Sequence, residues 1–235
     1  MSDDGGRAAH ALVLRPEPGN TRTVAALRDA GVVAVGIPLF AVRPLAWQVP
    51  DGRFDALLLT SANAVRMAGA TLACVAHLPV VAVGAATAQA ARAAGLTVAV
   101  TGHDDAAAVV AAARAYPRLL HLAGREHVAL PGVACAVVYA SEPLPVAPAA
   151  LAAALPAVVL LHSARAATRF AALVADLPRK EIVLAVLSAK VAAAAGSGWR
   201  RVAVADAPSD ARLVALAAML AIDPARGRED NARHD

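Results

Sequence analysis

The sequence predicts an α/β protein built on two parallel, doubly wound sheets, and three observations carry that prediction. Short apolar runs alternate with alanine-rich stretches at helical spacing over most of the chain, the pattern of β-α units laid on a parallel sheet. The segment Phe54-Asp-Ala-Leu-Leu-Leu-Thr-Ser-Ala-Asn-Ala-Val-Arg returns about one hundred residues later as Pro156-Ala-Val-Val-Leu-Leu-His-Ser-Ala-Arg-Ala-Ala-Thr-Arg. The copies then stay in step: Val81-Ala-Val-Gly answers Leu184-Ala-Val-Leu, and Val98-Ala-Val answers Val202-Ala-Val. One structural unit is therefore used twice.

In chain order, His10 to Leu14 reads as a strand, and Arg15-Pro-Glu-Pro-Gly-Asn as a turn. Thr21 to Ala30 is then a helix stopped by Gly31. Val32 to Pro38 is the next strand, and Arg43 to Arg53, proline-rich with Trp47, is irregular. The first repeat unit starts with strand Ala56 to Thr60, a helix from Ala62 to about Val75, and strand Val80 to Val83. It continues with helix Ala86 to Ala94, strand Thr97 to Thr101, a helix from about Asp104 to Ala115, strand Leu119 to Ala123 and an extended Val133 to Tyr139. After the proline-rich Pro143 to Pro148, alternation resumes from Val158 to Leu220. The charged segment Asp223 to Asp235 lacks apolar periodicity and is expected to fray.

The second half has three strong strands of its own, Val158 to Leu161, Ile182 to Val186 and Val202 to Val204, which is short for a free-standing sheet. The two amino-terminal strands can complete it. The expected organisation is one discontinuous domain from 1–38 and 142–235, an inserted domain at 43–137, and connecting strands at 39–42 and 138–141 that act as a hinge.

Composition narrows the function. At 235 residues the chain has ample length for two cores. Apolar residues make up 59%, yet the longest apolar run, Val146 to Leu161, is broken by Pro148 and Pro156, whereas a membrane span needs about 20 uninterrupted apolar residues. The start, Met1-Ser-Asp-Asp-Gly-Gly-Arg, has no apolar h-region, so the cytoplasm is the expected compartment. A net charge of +4 and pI near 9.7 favour acidic partners. The arginines are scattered and no basic run is interleaved with aromatics, so an acidic metabolite is expected and nucleic acid is not. Cys74 and Cys135 form no CxxC pair and are expected as small core residues. No Cys/His metal constellation, dinucleotide fingerprint or phosphate loop is present, which is consistent with a protein that needs neither metal nor cofactor. No heptad or long apolar surface is visible, and a monomer is expected.

Taken in order, Arg15-Pro with Asn20 and Thr23, Ile37-Pro-Leu-Phe, Leu59-Thr-Ser-Ala-Asn-Ala-Val, Val83-Gly-Ala-Ala-Thr-Ala, Gly124-Arg125, Tyr139, Leu161-His-Ser-Ala-Arg and Pro208-Ser-Asp resemble the uroporphyrinogen-III synthase family, from about Leu12 to about Leu220. The resemblance implies two flavodoxin- or Rossmann-like α/β domains joined by a two-stranded connector. It implies no cofactor, and a substrate, hydroxymethylbilane, that carries eight carboxylates and arrives by transient handover from the upstream bilane synthase. The implied reaction is loss of the ring A hydroxyl as water, attack by the substituted α-carbon of ring D to give a spiro intermediate, and reclosure with ring D inverted.

Tyr139 matches the family's tyrosine at the return crossing, where a phenol can hydrogen-bond or protonate the leaving hydroxyl; the alternative is an aromatic packed at the hinge. Thr60, Ser61 and Asn63 occupy the first strand-to-helix turn, and His162, Ser163 and Arg165 its repeat. Serine there caps a helix, and a capped helix start still offers N–H groups to a carboxylate. Gly84 and Thr87 belong to a further turn, with Ser188 and Lys190 in its counterpart, where Val191 stands in place of the family's frequent threonine. Arg15 can take a substrate carboxylate or pair with Glu17 or Asp29, and Arg125 has the same choice with Glu126 as its alternative partner.

Two other classes compete with this reading: a two-lobed binding protein for a small acidic ligand, and a nucleotide or flavin binder. A secreted form of the first would need a signal sequence, and the second lacks its glycine fingerprint.

Overall fold

The computed structural model describes residues 10–102, 109, 113–155 and 157–222. The strands are β1 (His10–Val13), β2 (Val33–Gly36), β3 (Phe40–Pro44), β4 (Ala56–Leu59), β5 (Val80–Val83), β6 (Val98–Gly102), β7 (Leu119–Gly124), β8 (Ala134–Pro143), β9 (Val158–Leu161), β10 (Val183–Val186) and β11 (Arg201–Val204). The α-helices are α1 (Gly19–Asp29), α2 (Ala62–Met67), α3 (Ala85–Ala93), α4 (Pro148–Ala153), α5 (Ala164–Leu173), α6 (Ala189–Ala195) and α7 (Asp210–Ile222). The chain divides into two compact units, Met1–Ala41 with Pro143–Asp235, and Val42–Glu142.

In the discontinuous unit the sheet order is β11-β10-β9-β1-β2, every pair parallel, with Leu12 beside Val159 and Val159 beside Leu184. Alternate residues point to opposite faces, which explains why the central strands read as unbroken apolar runs. Leu12, Val159, Leu161 and Leu184 pack with Phe170 and Val191 of α5 and α6. Ala11, Val13 and Leu160 pack on the other side with Leu27 of α1 and Leu213 and Ala217 of α7.

The Val42–Glu142 unit has the order β3-β8-β7-β4-β5-β6, parallel from β8 to β6. Leu57, Leu59, Val80 and Leu120 pack with Val65 of α2 and Ala88 and Ala91 of α3; Ala56, Leu58, Val81 and Leu119 pack on the opposite face with Val109 and Ala113. Leu45 N donates to Val138 O and Leu144 N donates to Leu39 O, both at 2.9 Å, so β3 and β8 run antiparallel. Trp47, in the stretch expected to be irregular, donates from Nε1 to Ala68 O at 2.7 Å.

Both sheets share one order, with β9, β10, β11, β1 and β2 answering β4, β5, β6, β7 and β8. Strand succession reverses between β1 and β9 in one unit and between β4 and β7 in the other. Such reversals open a crevice at the carboxyl ends of the strands, where open α/β sheets bind ligands.

Several expectations need correction. The helix expected from Ala62 to about Val75 ends at Met67, because Gly69 adopts φ +64 and the chain continues as a 3-10 helix, Gly69–Cys74. Helix α4 follows the proline-rich stretch, with Pro148 at its first turn, where a missing N–H costs nothing. Cys74 and Cys135 are exposed, not core. Cys74 ends a 3-10 helix that buries no residue, and Cys135 alternates with the buried Ala136 on β8. The expected tail, 223–235, and most of the helix expected from Asp104 to Ala115 lie outside the described residues.

Candidate active site

The repeat is reproduced in backbone detail. Ser61 and Ser163 precede α2 and α5 with φ −152 in both cases and ψ 140 and 152. Ser61 Oγ accepts from Asn63 N and Ser163 Oγ from Ala166 N, each at 3.2 Å, satisfying a donor that the helix start leaves open. Ser188 has the same extended backbone before α6 but makes no side-chain cap bond. Gly84 opens α3 with φ +85.

In the Val42–Glu142 unit, Thr60 follows β4 and its Oγ1 lies 3.0 Å from Nε2 of His121 on the adjacent strand β7. His121 is 3% exposed, and burial, then the neighbouring His127, drives its pKa from 6.5 down to about 4, so the ring is neutral at pH 7. The His121 and His127 rings meet edge to face, with centroids 5.7 Å apart. His127 Nδ1 lies 2.9 Å from Gly124 O; a carbonyl only accepts, so Nδ1 carries the proton. Tyr139 sits beside Gly124 in the β7–β8 register, and Arg125 N donates to Tyr139 O. A Cβ on Gly124 would stand 2.6 Å from Tyr139 Cζ and 2.8 Å from Oη, so the bare Cα is the seat of the phenol. Arg125 pairs with Glu142 at 3.8 Å. Asn63 is half-buried, and Thr87 is buried in α3.

In the discontinuous unit, Arg15 follows β1, His162 follows β9, and Asp210 opens α7. Arg15 Nη1 lies 2.8 Å from Asp210 Oδ1 and donates to Thr23 Oγ1 at 3.2 Å. Thr23 donates to the same carboxylate, 2.9 Å from Oδ1 and 3.0 Å from Oδ2. His162 Nε2 lies 2.8 Å from Oδ1. Burial alone would raise the Asp210 pKa; the His162 hydrogen bond, the Arg15 charge and the Thr23 hydroxyl outweigh it and hold the carboxyl below its usual range. The His162 pKa is lowered, by burial first and against the pull of Asp210. The imidazole is therefore neutral, its Nε2 proton is committed to the carboxylate, and its Nδ1 is buried without a partner among the described residues. Arg15 thus pairs with neither Glu17 nor Asp29; Glu17 instead accepts from Thr21 N and Oγ1. Lys190 is exposed on α6, while Val191 is core, 4% exposed.

The residues expected at strand ends therefore gather, within each unit, along the carboxyl edge of its sheet. Thr60 and His162, equivalent in the repeat, are each held by a residue not singled out from sequence, His121 and Asp210. Asp210 and Thr23 lie 187 positions apart, and the only sequence signal for Asp210 was its place in Pro208-Ser-Asp at a helix start. His121, inside an apolar strand, was the one polar interruption of that run.

A protein-family model described as uroporphyrinogen-III synthase HemD matches residues 21–215. The chain belongs to that family. Its members are cyclising lyases. No curated protein matches. Among solved structures, the chain is similar to a uroporphyrinogen-III synthetase from Helicobacter pylori, at TM-score 0.66 and 17% identity, over 90% of this chain and 99% of that one. It is also similar to a uroporphyrinogen III synthase from the extremely thermophilic bacterium Thermus thermophilus, at TM-score 0.42 and 16% identity, over 92% and 99%. The first likeness establishes the shared uroporphyrinogen-III synthase fold. Among the described residues, no group of three or more His, Cys, Asp and Glu is placed to hold a metal ion, and no helix is long and apolar enough to cross a membrane.

Proposed function

We propose that this uroporphyrinogen-III synthase binds hydroxymethylbilane along the carboxyl edges of its strands and uses Tyr139 on the leaving hydroxyl. The observation that supports the residue assignment is that Arg15 follows β1, His162 and Ser163 follow β9, Thr60, Ser61 and Asn63 follow β4, and Arg125 follows β7, the strands between which strand order reverses in each unit. Backbone N–H groups at the turns of Ser61, Gly84, Ser163 and Ser188, with Thr60, Asn63, Thr87 and His162, are assigned to substrate binding. The cations Arg15, Arg125 and Lys190 are assigned to its carboxylates. Tyr139 hydrogen-bonds or protonates the ring A hydroxyl as it leaves as water, the substituted α-carbon of ring D attacks the azafulvene, and the spiro intermediate fragments and recloses with ring D inverted. Most of the rate then comes from holding the bilane curled and stabilising developing charge, with few covalent roles for side chains.

Hydroxymethylbilane closes by itself to isomer I. That instability supports transient handover from the upstream bilane synthase, and the same reading makes the protein a cytoplasmic monomer. The deciding experiment generates hydroxymethylbilane in situ, adds the protein, oxidises the products and separates the uroporphyrin isomers. Dominant isomer III is expected; isomer I alone, from folded protein, would refute the reading.

A further inference from the structure

We infer that Asp210 and Gly19 are positioning residues that preset Arg15 as a side-on receptor for one carboxylate of the substrate, an inference that rests on the activity assigned above. The hydrogen bonds of Arg15 to described residues all leave from Nη1, towards Asp210 and Thr23. Its Nε–Nη2 edge makes none, and the side chain is 24% exposed. That edge carries two parallel N–H groups spaced to meet both oxygens of a carboxylate, the geometry that makes arginine a specific receptor where lysine is a point charge.

The guanidinium has a prepared seat. A Cβ on Gly19 would overlap Arg15 Nε and stand 2.6 Å from Cζ and 2.8 Å from Nη2. Three such close approaches mean that the guanidinium plane lies across the space a Cβ would fill. Any side chain at position 19 would drive the guanidinium off that seat. Gly19 is also the first residue of α1, an eleven-residue helix whose positive end disfavours a bare guanidinium and favours an anion paired with it.

The acidic neighbours are arranged so that the free edge is not already occupied. Glu17, the closest carboxylate in sequence, is turned to Thr21, 3.1 Å from its N and 2.9 Å from its Oγ1. Asp210 takes Nη1 only, and its charge is shared among Arg15, Thr23 and His162. His162 adds no positive charge, because its Nε2 proton is the hydrogen bond and its Nδ1 has no acceptor among the described residues that would stabilise an imidazolium. Fixing one terminus of a long side chain in advance removes an ordering cost that substrate binding would otherwise bear, on the order of 0.5–1.5 kcal/mol for a rotamer-rich side chain. Arg15 also follows β1 at the strand-order reversal with β9, where a ligand is expected.

The test measures KM and kcat for isomer III formation from hydroxymethylbilane in wild type, Arg15→Lys, Asp210→Asn, Gly19→Ala and the double variant Arg15→Lys with Asp210→Asn, with Cys74→Ser as the control. Each single variant at the receptor is expected to raise KM by about tenfold, the scale of one charge-assisted hydrogen bond, with kcat changed by less than about threefold. The double variant should raise KM by clearly less than the product of the two single effects, since Asp210 acts in part through the arginine and in part through His162; a full product in the folded double variant would overturn the coupling. If Asp210→Asn fails to fold, Arg15→Lys, which keeps the charge and loses the fork, carries the test with Gly19→Ala. Isomer III from wild type together with unchanged KM in the folded variants overturns this inference alone. Isomer I alone from wild type overturns the activity reading and this inference with it.

Discussion

Thr60 Oγ1 lies 3.0 Å from His121 Nε2, tying the residue that follows β4 to the interior of β7 where the strand order of the Val42–Glu142 unit reverses. The equivalent residue in the other unit, His162, is tied to Asp210 at 2.8 Å. In both units the residue before the capping serine is anchored sideways by a partner remote in sequence, so the turn that would present backbone N–H groups to substrate is fixed by more than its own cap.

The His121 anchor makes stability depend on pH. The unfolded chain protonates this imidazole near 6.5, the folded protein at about 4, so between those values the unfolded state binds more protons. Stability is expected to fall as pH drops from about 6.5 towards about 4 and to level off below. Denaturant titrations of wild type and His121→Asn across that range check it: the wild type should show the steeper decline. His162 shifts in the same direction and contributes equally to both proteins, so equal slopes would show that His121 does not titrate as argued.

Tyr139→Phe is expected to lower kcat for isomer III formation by roughly one to two orders of magnitude, at or below the usual reach of a general acid, with KM little changed. An unaltered kcat in the isomer assay would remove the hydroxyl from the mechanism.

Gly124→Ala is expected to act on the same ring from beneath. Its Cβ would overlap Cζ, Cε2 and Oη of Tyr139, so the phenol must leave its seat, at a cost on the order of 1–3 kcal/mol. Thermal unfolding should register that loss, and isomer III formation should drop at least as far as in Tyr139→Phe.

The helix caps give a graded series. Ser61→Ala and Ser163→Ala are each expected to cost about 1 kcal/mol, because both serines accept a backbone N–H. Ser188→Ala, which removes no cap bond, should leave unfolding within about 0.5 kcal/mol of wild type. Equal losses at all three positions in denaturant titrations would contradict the cap assignment.

Strands and turns were readable in the sequence because their signals are local. Val158 to Leu161 is apolar throughout since both faces are covered, and Ser61 and Ser163 stand where a helix start needs an acceptor. α2 is shorter than its apolar spacing predicts, because the spacing continues past Gly69 whereas the helix cannot continue through its positive φ. Cys74 and Cys135 are exposed where residue type predicts burial, because residue type says how often a side chain is buried, not which face of a strand or turn it occupies. The partner of Arg15 was out of reach for a different reason. Glu17 and Asp29 were near in sequence, whereas Asp210 is brought in by α7 packing on a sheet whose first strands lie at the opposite end of the chain. Likewise, Val191 reads as a lost hydroxyl until its side chain is found in the core.

The parallel pairing of Ala11 with Val158 joins positions 147 residues apart, while Leu57 and Val80 are only 23 apart. A chain made from its amino terminus at roughly 5–20 residues per second thus completes the middle sheet first, once β8 ends at Pro143. Throughout that time β1 and β2 have each other but not β9, and Ala11 and Val13 lack the cover of α7. β1 and β2 are thus made before the middle sheet and enclosed after it, so the interval before β9 emerges from the ribosome is when an uncovered apolar edge is open to chaperones or to neighbouring chains.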